Sequence, residues 1–157
     1  MPDLSPTIDG VGIKLGSTWA NTVGDGTAAS GMNTTVASDN TGINAIDLSA
    51  FNATQVERYF IEFDTEDITV APSSATFKIY GKSNGAAGVI CVQASFASAG
   101  AIVTGDWDSW NESSPVTYTD GIDAGSWNTS GYNTFTLTAA ALSAMVSLNE
   151  FQMICLE

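Results

Sequence analysis

Two stretches of the chain alternate with a period of two. In residues 56–64, Tyr59, Ile61 and Phe63 alternate with Phe60, Glu62 and Asp64; in residues 75–80, Ala75, Phe77 and Ile79 alternate with Thr76, Lys78 and Tyr80. Aromatic and β-branched residues at this period predict a strand in each stretch. Residues 64–74 hold acids, Pro72 and two serines, a composition suited to a turn or a long loop. Phe60 makes the first strand apolar on both faces, which predicts a central strand covered by a second layer.

The pattern recurs further along. Residues 89–96 place Val89 and Cys91 on one face and Ile90, Val92, Ala94 and Phe96 on the other, a third strand with two apolar faces. A turn at 82–88, built on Asn84-Gly85, precedes it. Residues 133–137 predict another strand. Thr138 then caps a short helix over 139–147, with Leu142, Met145 and Val146 on one face. Residues 150–156 are again apolar on both faces. A central strand just before the end of the sequence suggests that more chain follows, or that a neighbour supplies a missing strand.

The first 40 residues are poor in large apolar side chains. Ile8, Val11, Ile13 and Leu15 predict one short strand, and Trp19 is the only large anchor nearby. Residues 24–42 are small and polar, with Met32 and Val36 isolated, and cannot bury much surface alone. They read as a surface loop or as an arm ordered by contact with something else. Residues 43–47 suggest a short strand, and 48–54 a connection. The division expected is an N-terminal arm or loop-rich extension at 1–45 and one β domain at 46–157. The fold class expected is all-β: an antiparallel, jelly-roll-like β-sandwich with one short helix near the C-terminus. Its core is expected at Phe60, Ile61, Phe63, Phe77, Ile79, Ile90, Val92, Phe96, Leu137, Leu142, Ile154 and Leu156.

Composition narrows the function classes. The 157 residues are 44% hydrophobic but only 13% charged, about half the usual ~25%. Ser, Thr, Asn and Gly carry the solubility instead. Four basic residues stand against seventeen acidic ones, a net charge of -13. Lys14, Arg58, Lys78 and Lys82 cannot form the basic patch that nucleic acid requires, and an anionic membrane surface is disfavoured likewise. No apolar run approaches the ~18 residues of a membrane span. The start of the chain lacks a basic segment followed by an apolar run, so no secretory leader is read there. The charge favours a basic partner or a divalent cation. Histidine is absent, which removes Ser-His-Asp and Cys-His catalysis and His-ligated zinc. Cys91 and Cys155 read as small buried residues, and form a disulfide only if their strands are neighbours.

Residues 97–131 are irregular and hold three of the four tryptophans. Trp107, Trp110, Tyr118, Trp127 and Tyr132 are either anchors holding a long loop on the core or flat platforms for sugar rings. Asp106, Asp108, Asn111 and Glu112 either make a solvated acidic loop or offer hard oxygens to calcium, though without the spacing of an EF-hand. Asp64, Glu66 and Asp67 give a weaker version. Glu62 and Asp64 could pair as glycosidase carboxylates, but Arg58 shares a strand face with Glu62, and an in-sheet ion pair is the simpler use.

A resemblance adds to this. Arg58-Tyr-Phe-Ile-Glu-Phe-Asp followed by Pro72-Ser-Ser-Ala-Thr-Phe-Lys-Ile-Tyr resembles DNRLRE-type domains, β-sandwich modules similar to carbohydrate-binding modules. From Arg58 to Leu156 the chain also looks like uncharacterised virion-associated proteins of tailed phages, which share Gly131-Tyr-Asn-Thr-Phe-Thr-Leu, Ala141-Leu-Ser-Ala-Met and Glu150-Phe-Gln-Met-Ile-Cys-Leu-Glu. Those relatives continue with an acidic, Tyr-rich segment. The resemblance implies a non-enzymatic structural protein of a phage particle: capsid decoration, head-fibre or tail-associated. It would be made in the host cytoplasm and located in the virion, with itself and other virion proteins as partners. The alternative is a carbohydrate-binding module that uses the Trp/Tyr cluster for glycan or host-surface adhesion. Shared fold does not transfer function. Calcium is the one cofactor the residues suggest.

Overall fold

The structure, a computed structural model, describes residues 3–16, 31–33, 44–48, 53–81, 88–96 and 102–156. In chain order the strands are β1 (Ile8–Gly16), β2 (Gly31–Asn33), β3 (Asn44–Leu48), β4 (Ala53–Asp64), β5 (Thr76–Tyr80), β6 (Ile90–Gln93) and β7 (Tyr132–Thr136). Helix α1 (Ala139–Ser147) and strand β8 (Glu150–Leu156) follow. Every strand pairing is antiparallel. The fold is therefore all-β, with one short α-helix among the described residues.

Six strands form one sheet in the order β2-β1-β4-β8-β6, with β3 also on β4. β8 takes Tyr59 to Asp64 of β4, while β3 takes Ala53 to Glu57, so both lie along the same side of β4. β5 and β7 form a separate pair. β8 does not leave the open edge its position in the chain suggests, because β4 and β6 flank it on both sides.

Directly opposed residues of an antiparallel pair share a sheet face. Ile61 opposes Met153, and Tyr59 opposes Cys155, which in turn opposes Cys91. These side chains face Phe77, Phe135 and the helix residues Ala141, Ala144 and Met145 in one core. Phe60 opposes Ile154, which opposes Val92. These face the other way, into a second core with Val56, Ile102 and Trp107. The large sheet is thus buried on both faces at β4, β6 and β8, and on the second face Arg58, Glu62 and Gln152 are buried among the apolar residues. β5 and β7 are covered on one face only, and their burial alternates residue by residue.

Thr138 starts the helix as expected: its hydroxyl accepts from the Ala141 amide and donates to the Thr117 carbonyl. Thr65 ties the far end back to β4, donating through its hydroxyl to the Leu148 carbonyl at 2.6 Å. The apolar face of α1 differs from expectation. Ala141, Ala144 and Met145 are buried, whereas Val146 is 38% exposed. Ile90 is half-buried and belongs to neither core.

At the N-terminal end, residues 8–16 are a strand of the main sheet, paired with β4 from Ile8↔Glu62 to Gly16↔Thr54. The sheet therefore begins well before residue 46. Within the stretch read as a loop or arm, Gly31–Asn33 is a strand on β1. Trp19, the rest of 24–42 and the Asn84-Gly85 turn lie outside the described residues.

Cys91 and Cys155 are register partners, fully buried and free. The Cys91 amide donates to the Thr119 hydroxyl and its carbonyl accepts from the Tyr118 amide. Both backbone groups thus turn away from β8. Cys91 and Cys155 form a non-hydrogen-bonded pair, the closer type, in which side chains meet. Burial, followed by the hydrogen bond to Cys91, pushes the Cys155 thiol well up.

One core on each side of the sheet makes a direct test. Ile154→Ala should cost ~2–5 kcal/mol and Phe135→Ala ~3–5 kcal/mol in urea unfolding. A loss under ~1 kcal/mol for either would mean that its side of the sheet is not packed.

Candidate functional site

The tryptophan loop packs on the sheet face that carries Val56, Arg58, Phe60 and Glu62. Two register partners there are glycines, Gly10 opposite Phe60 and Gly12 opposite Arg58. Neither adds a side chain above the sheet. Trp107 fills this face and is fully buried, within a 3-10 turn at Thr104–Asp108. Burying an indole of roughly 200 Å² is worth ~5 kcal/mol at ~25 cal/mol/Å². That is large enough to hold a loop with little other apolar content.

Arg58 fixes the loop in place. It is 2% exposed, and its guanidinium carbon lies 4.2 Å from the Trp107 ring centre and 5.3 Å from that of Trp110. The same group donates to the Trp107 carbonyl at 2.7 Å and to the Asp108 carboxylate at 3.4 Å, and pairs with Glu112 at 3.7 Å. Burial pulls its pKa down from the ordinary value, while Asp108 and Glu112 push it back up. Lys14 is also buried, with its ammonium 5.7 Å from the Trp107 ring centre. Two cations against one indole are tolerable only because the ring face is electron-rich and carboxylates sit alongside.

The expected Arg58–Glu62 ion pair does not form. Arg58 leaves the plane of the sheet for the loop. Glu62 instead accepts from Gln152 Nε2 at 2.7 Å and from the Thr7 hydroxyl at 3.2 Å. Gln152 Oε1 accepts from the Phe96 amide at 2.6 Å. Glu62 is thus one link in a partly buried polar chain that runs from Thr7 through β4 and β8 to Phe96. Asp64, its proposed catalytic partner, accepts from the Glu66 amide in a tight turn.

The four oxygen-bearing residues of the loop do not converge. Asp106 is fully buried and accepts from the Val103 amide at 2.8 Å, closing the 3-10 turn. Asp108 and Glu112 face Arg58. Asn111 Oδ1 accepts from Ser113 and Ser114 in its own turn. Among the described residues no three His, Cys, Asp or Glu side chains are grouped to hold a metal.

The five aromatics read as loop anchors or a sugar platform are spread over the molecule. Trp107 lies on one face of the large sheet. Tyr118 lies on the other, 1% exposed and stacked on Phe151 at 4.9 Å and 10°. Trp127 is half-buried against Phe135. Its indole nitrogen would be 2.8 Å from a β-carbon at Gly81, and the Asn128 carbonyl only 2.0 Å, so this seat needs a glycine. Trp110 is half-buried beside Arg58. Tyr132 alone is well exposed, at 65%, and it packs edge-on against Tyr80 at 5.3 Å. Tyr80 was not foreseen as a site residue. Its meeting with Tyr132 depends on the β5–β7 register.

Beside Trp110 is a cleft of about 420 Å³ lined by Gln93, Ser95, Asp108, Ser109, Trp110 and Asn111, among others. Trp110 Nε1 and Ser109 Oγ are themselves buried, with no hydrogen-bond partner among the described residues. It is the one place among the candidate residues where aromatic, carboxylate, amide and hydroxyl groups meet. No protein-family model, curated protein or solved structure matches the chain.

Two outcomes test this description. Arg58→Met should cost ~3–5 kcal/mol, because it leaves Asp108 and Glu112 facing an apolar group and removes the nearer of the two cations at Trp107. It should also raise amide exchange across 102–112. A loss under ~1 kcal/mol would show that the loop does not depend on Arg58. The second concerns alkali. Burial raises the Tyr118 phenol from 10.0 to about 12, and burial followed by the hydrogen bond to Asp9 raises Tyr59 further. The folded state then holds protons that the unfolded state releases, so stability is full below pH 10.0 and falls as pH climbs toward 12. Phenolate absorbance should show these two tyrosines ionising late. A flat stability across that window would contradict their burial.

Proposed function

We propose that the protein is a non-enzymatic structural subunit of a phage particle, as a capsid decoration, head-fibre or tail-associated protein, built on a jelly-roll-like β-sandwich. The observation that carries this reading is how the reactive-looking residues are used. Asp106, Asp108, Glu112 and Arg58 hold Trp107 and its loop to the sheet, and Glu62 is tied to Gln152 and Thr7. Carboxylates used to fix a loop serve rigidity, and rigidity is what a particle subunit requires. The resemblance to tailed-phage virion proteins points the same way, as does an acidic, Ser/Thr-rich chain with four basic residues. Its partners are then other virion proteins and further copies of itself.

The second reading is glycan adhesion, favoured by one observation. Gln93, Ser95, Asp108, Ser109 and Asn111 line a cleft beside the Trp110 indole, the mixture of polar groups and a ring that a polyhydroxylated ligand uses. Tyr132 and Tyr80 do not form a flat platform, since their rings stand at 87°.

Particles purified from a lysate and labelled with an antibody to the chain should carry it at regular positions. Recovery only in the unassembled fraction would overturn the particle reading. In parallel, a glycan array should show no binding. Binding abolished by Trp110→Ala but kept in Tyr132→Ala would transfer the function to the cleft.

A further inference from the structure

Among the described residues β5 has a partner on one side only. The Leu137 amide donates to the Ala75 carbonyl at 3.0 Å, and the Gly81 amide donates to the Gly131 carbonyl at 3.0 Å. Residues 75 and 81 are therefore in hydrogen-bonded pairs with 137 and 131. Such pairs alternate along an antiparallel ladder, so 77 and 79 also bond inward. The amides and carbonyls of Thr76, Lys78 and Tyr80 point the other way. Among the described residues none of these six groups has a backbone partner. β7 differs, because the Thr136 carbonyl accepts from the Asp120 amide on its far side.

A cleft of about 290 Å³ adjoins this edge. Phe63, Phe77 and Phe151 line it, with Asp3, Leu4 and Pro6 among its other residues. Each side chain of an added strand that faced the core would enter it, while the alternate ones would lie beside Thr76, Lys78 and Tyr80 on the outer face. That outer face carries Thr76, Lys78, Tyr80, Tyr132, Thr134 and Thr136. Its only charge among the described residues is positive, a local exception on a chain whose net charge is -13. Lys78 is also the one exposed basic side chain among the described residues, since Lys14 and Arg58 are buried.

We infer that the β5 edge is a docking site for an extended segment of another protein. The segment alternates apolar side chains, which enter the cleft, with acidic ones, of which one opposes Lys78. Backbone bonds to residues 76, 78 and 80 supply affinity, and the cleft and Lys78 supply selectivity. A second copy of the chain pairing β5 with β5 would place Lys78 against Lys78, which like charge opposes. The inference rests on the reading that this chain works by binding other proteins.

The probe is a capped eight-residue peptide alternating valine and glutamate, compared with one alternating valine and lysine. On titration into the full chain, the glutamate peptide should shift the amide resonances of Thr76, Lys78 and Tyr80. In salt high enough to screen the chain's net negative charge, it should bind roughly fivefold more tightly than the lysine peptide, the size of one cross-strand charge pair. Lys78→Pro removes an outward amide without touching the β5–β7 ladder, and should abolish binding with thermal unfolding unchanged. Should that variant unfold, Lys78→Glu serves instead, and should invert the preference between the peptides. Equal binding of the two peptides, no binding, or shifts centred away from β5 would overturn the inference. So would dilution-dependent shifts of the β5 amides in the chain alone, which would assign the edge to a second copy. A chain that decorates particles but ignores the glutamate peptide sinks the docking site alone. One that binds the peptide but is absent from particles sinks the particle reading alone.

Discussion

A buried guanidinium is the constraint from which the rest of this structure follows. Arg58 occupies the middle of β4, the strand on which the large sheet is built, with its head group 4.2 Å from one indole centre and 5.3 Å from another. Taking such a charge out of water costs several kcal/mol. The cost is offset only if the loop brings acceptors to it, and the loop does so with the Trp107 carbonyl, Asp108 and Glu112. The sheet needs the loop to satisfy Arg58. The loop, with few apolar residues besides its tryptophans, needs the sheet to seat Trp107. Each makes the other stable, so residues 102–112 are fixed with no secondary structure beyond one 3-10 turn.

That mutual dependence assigns different uses to the two faces of the large sheet. One face packs conventionally on β5, β7 and α1 through aliphatic and aromatic side chains. The other is closed by polar devices: Arg58 under the tryptophans, Lys14 beside them, and the Thr7–Glu62–Gln152 chain. A charged residue inside a sheet face is costly, and removing one partner costs more than the pair gains. Such a face tolerates little rearrangement, which suits a part whose shape is its function.

Much of the fold was legible in the sequence because it obeys local rules. Period-two alternation in β4 and β5, the Thr138 cap, and the apolar run of β8 each depend on residues close together in the chain. β1 was legible as a strand but not in its placement. Its polar and small members Gly10, Gly12 and Lys14 share the face of Phe60 and Arg58, whereas Leu15, an obvious core candidate, is 56% exposed. β2 has no pattern to read, being Gly-Met-Asn. The site was the least legible part. Arg58 and Glu62 share a face, and nothing local shows that a loop 50 residues away will claim one of them. The acidic loop residues read as a solvated loop or as calcium ligands, because their use as partners of Arg58 is set by tertiary packing. The tryptophans read as loop anchors or as a platform, because their separation onto two faces depends on strand order.

The claim that Arg58 and Trp107 stabilise each other is tested most directly by a double-mutant cycle in urea unfolding, with Arg58→Met, Trp107→Leu and the double variant. The two groups share a carbonyl hydrogen bond and a ring contact in a desolvated site. Their coupling should therefore be ~2 kcal/mol or more. Single costs that add to within ~0.5 kcal/mol would contradict the account, because the loop and the sheet would then be held by independent contacts.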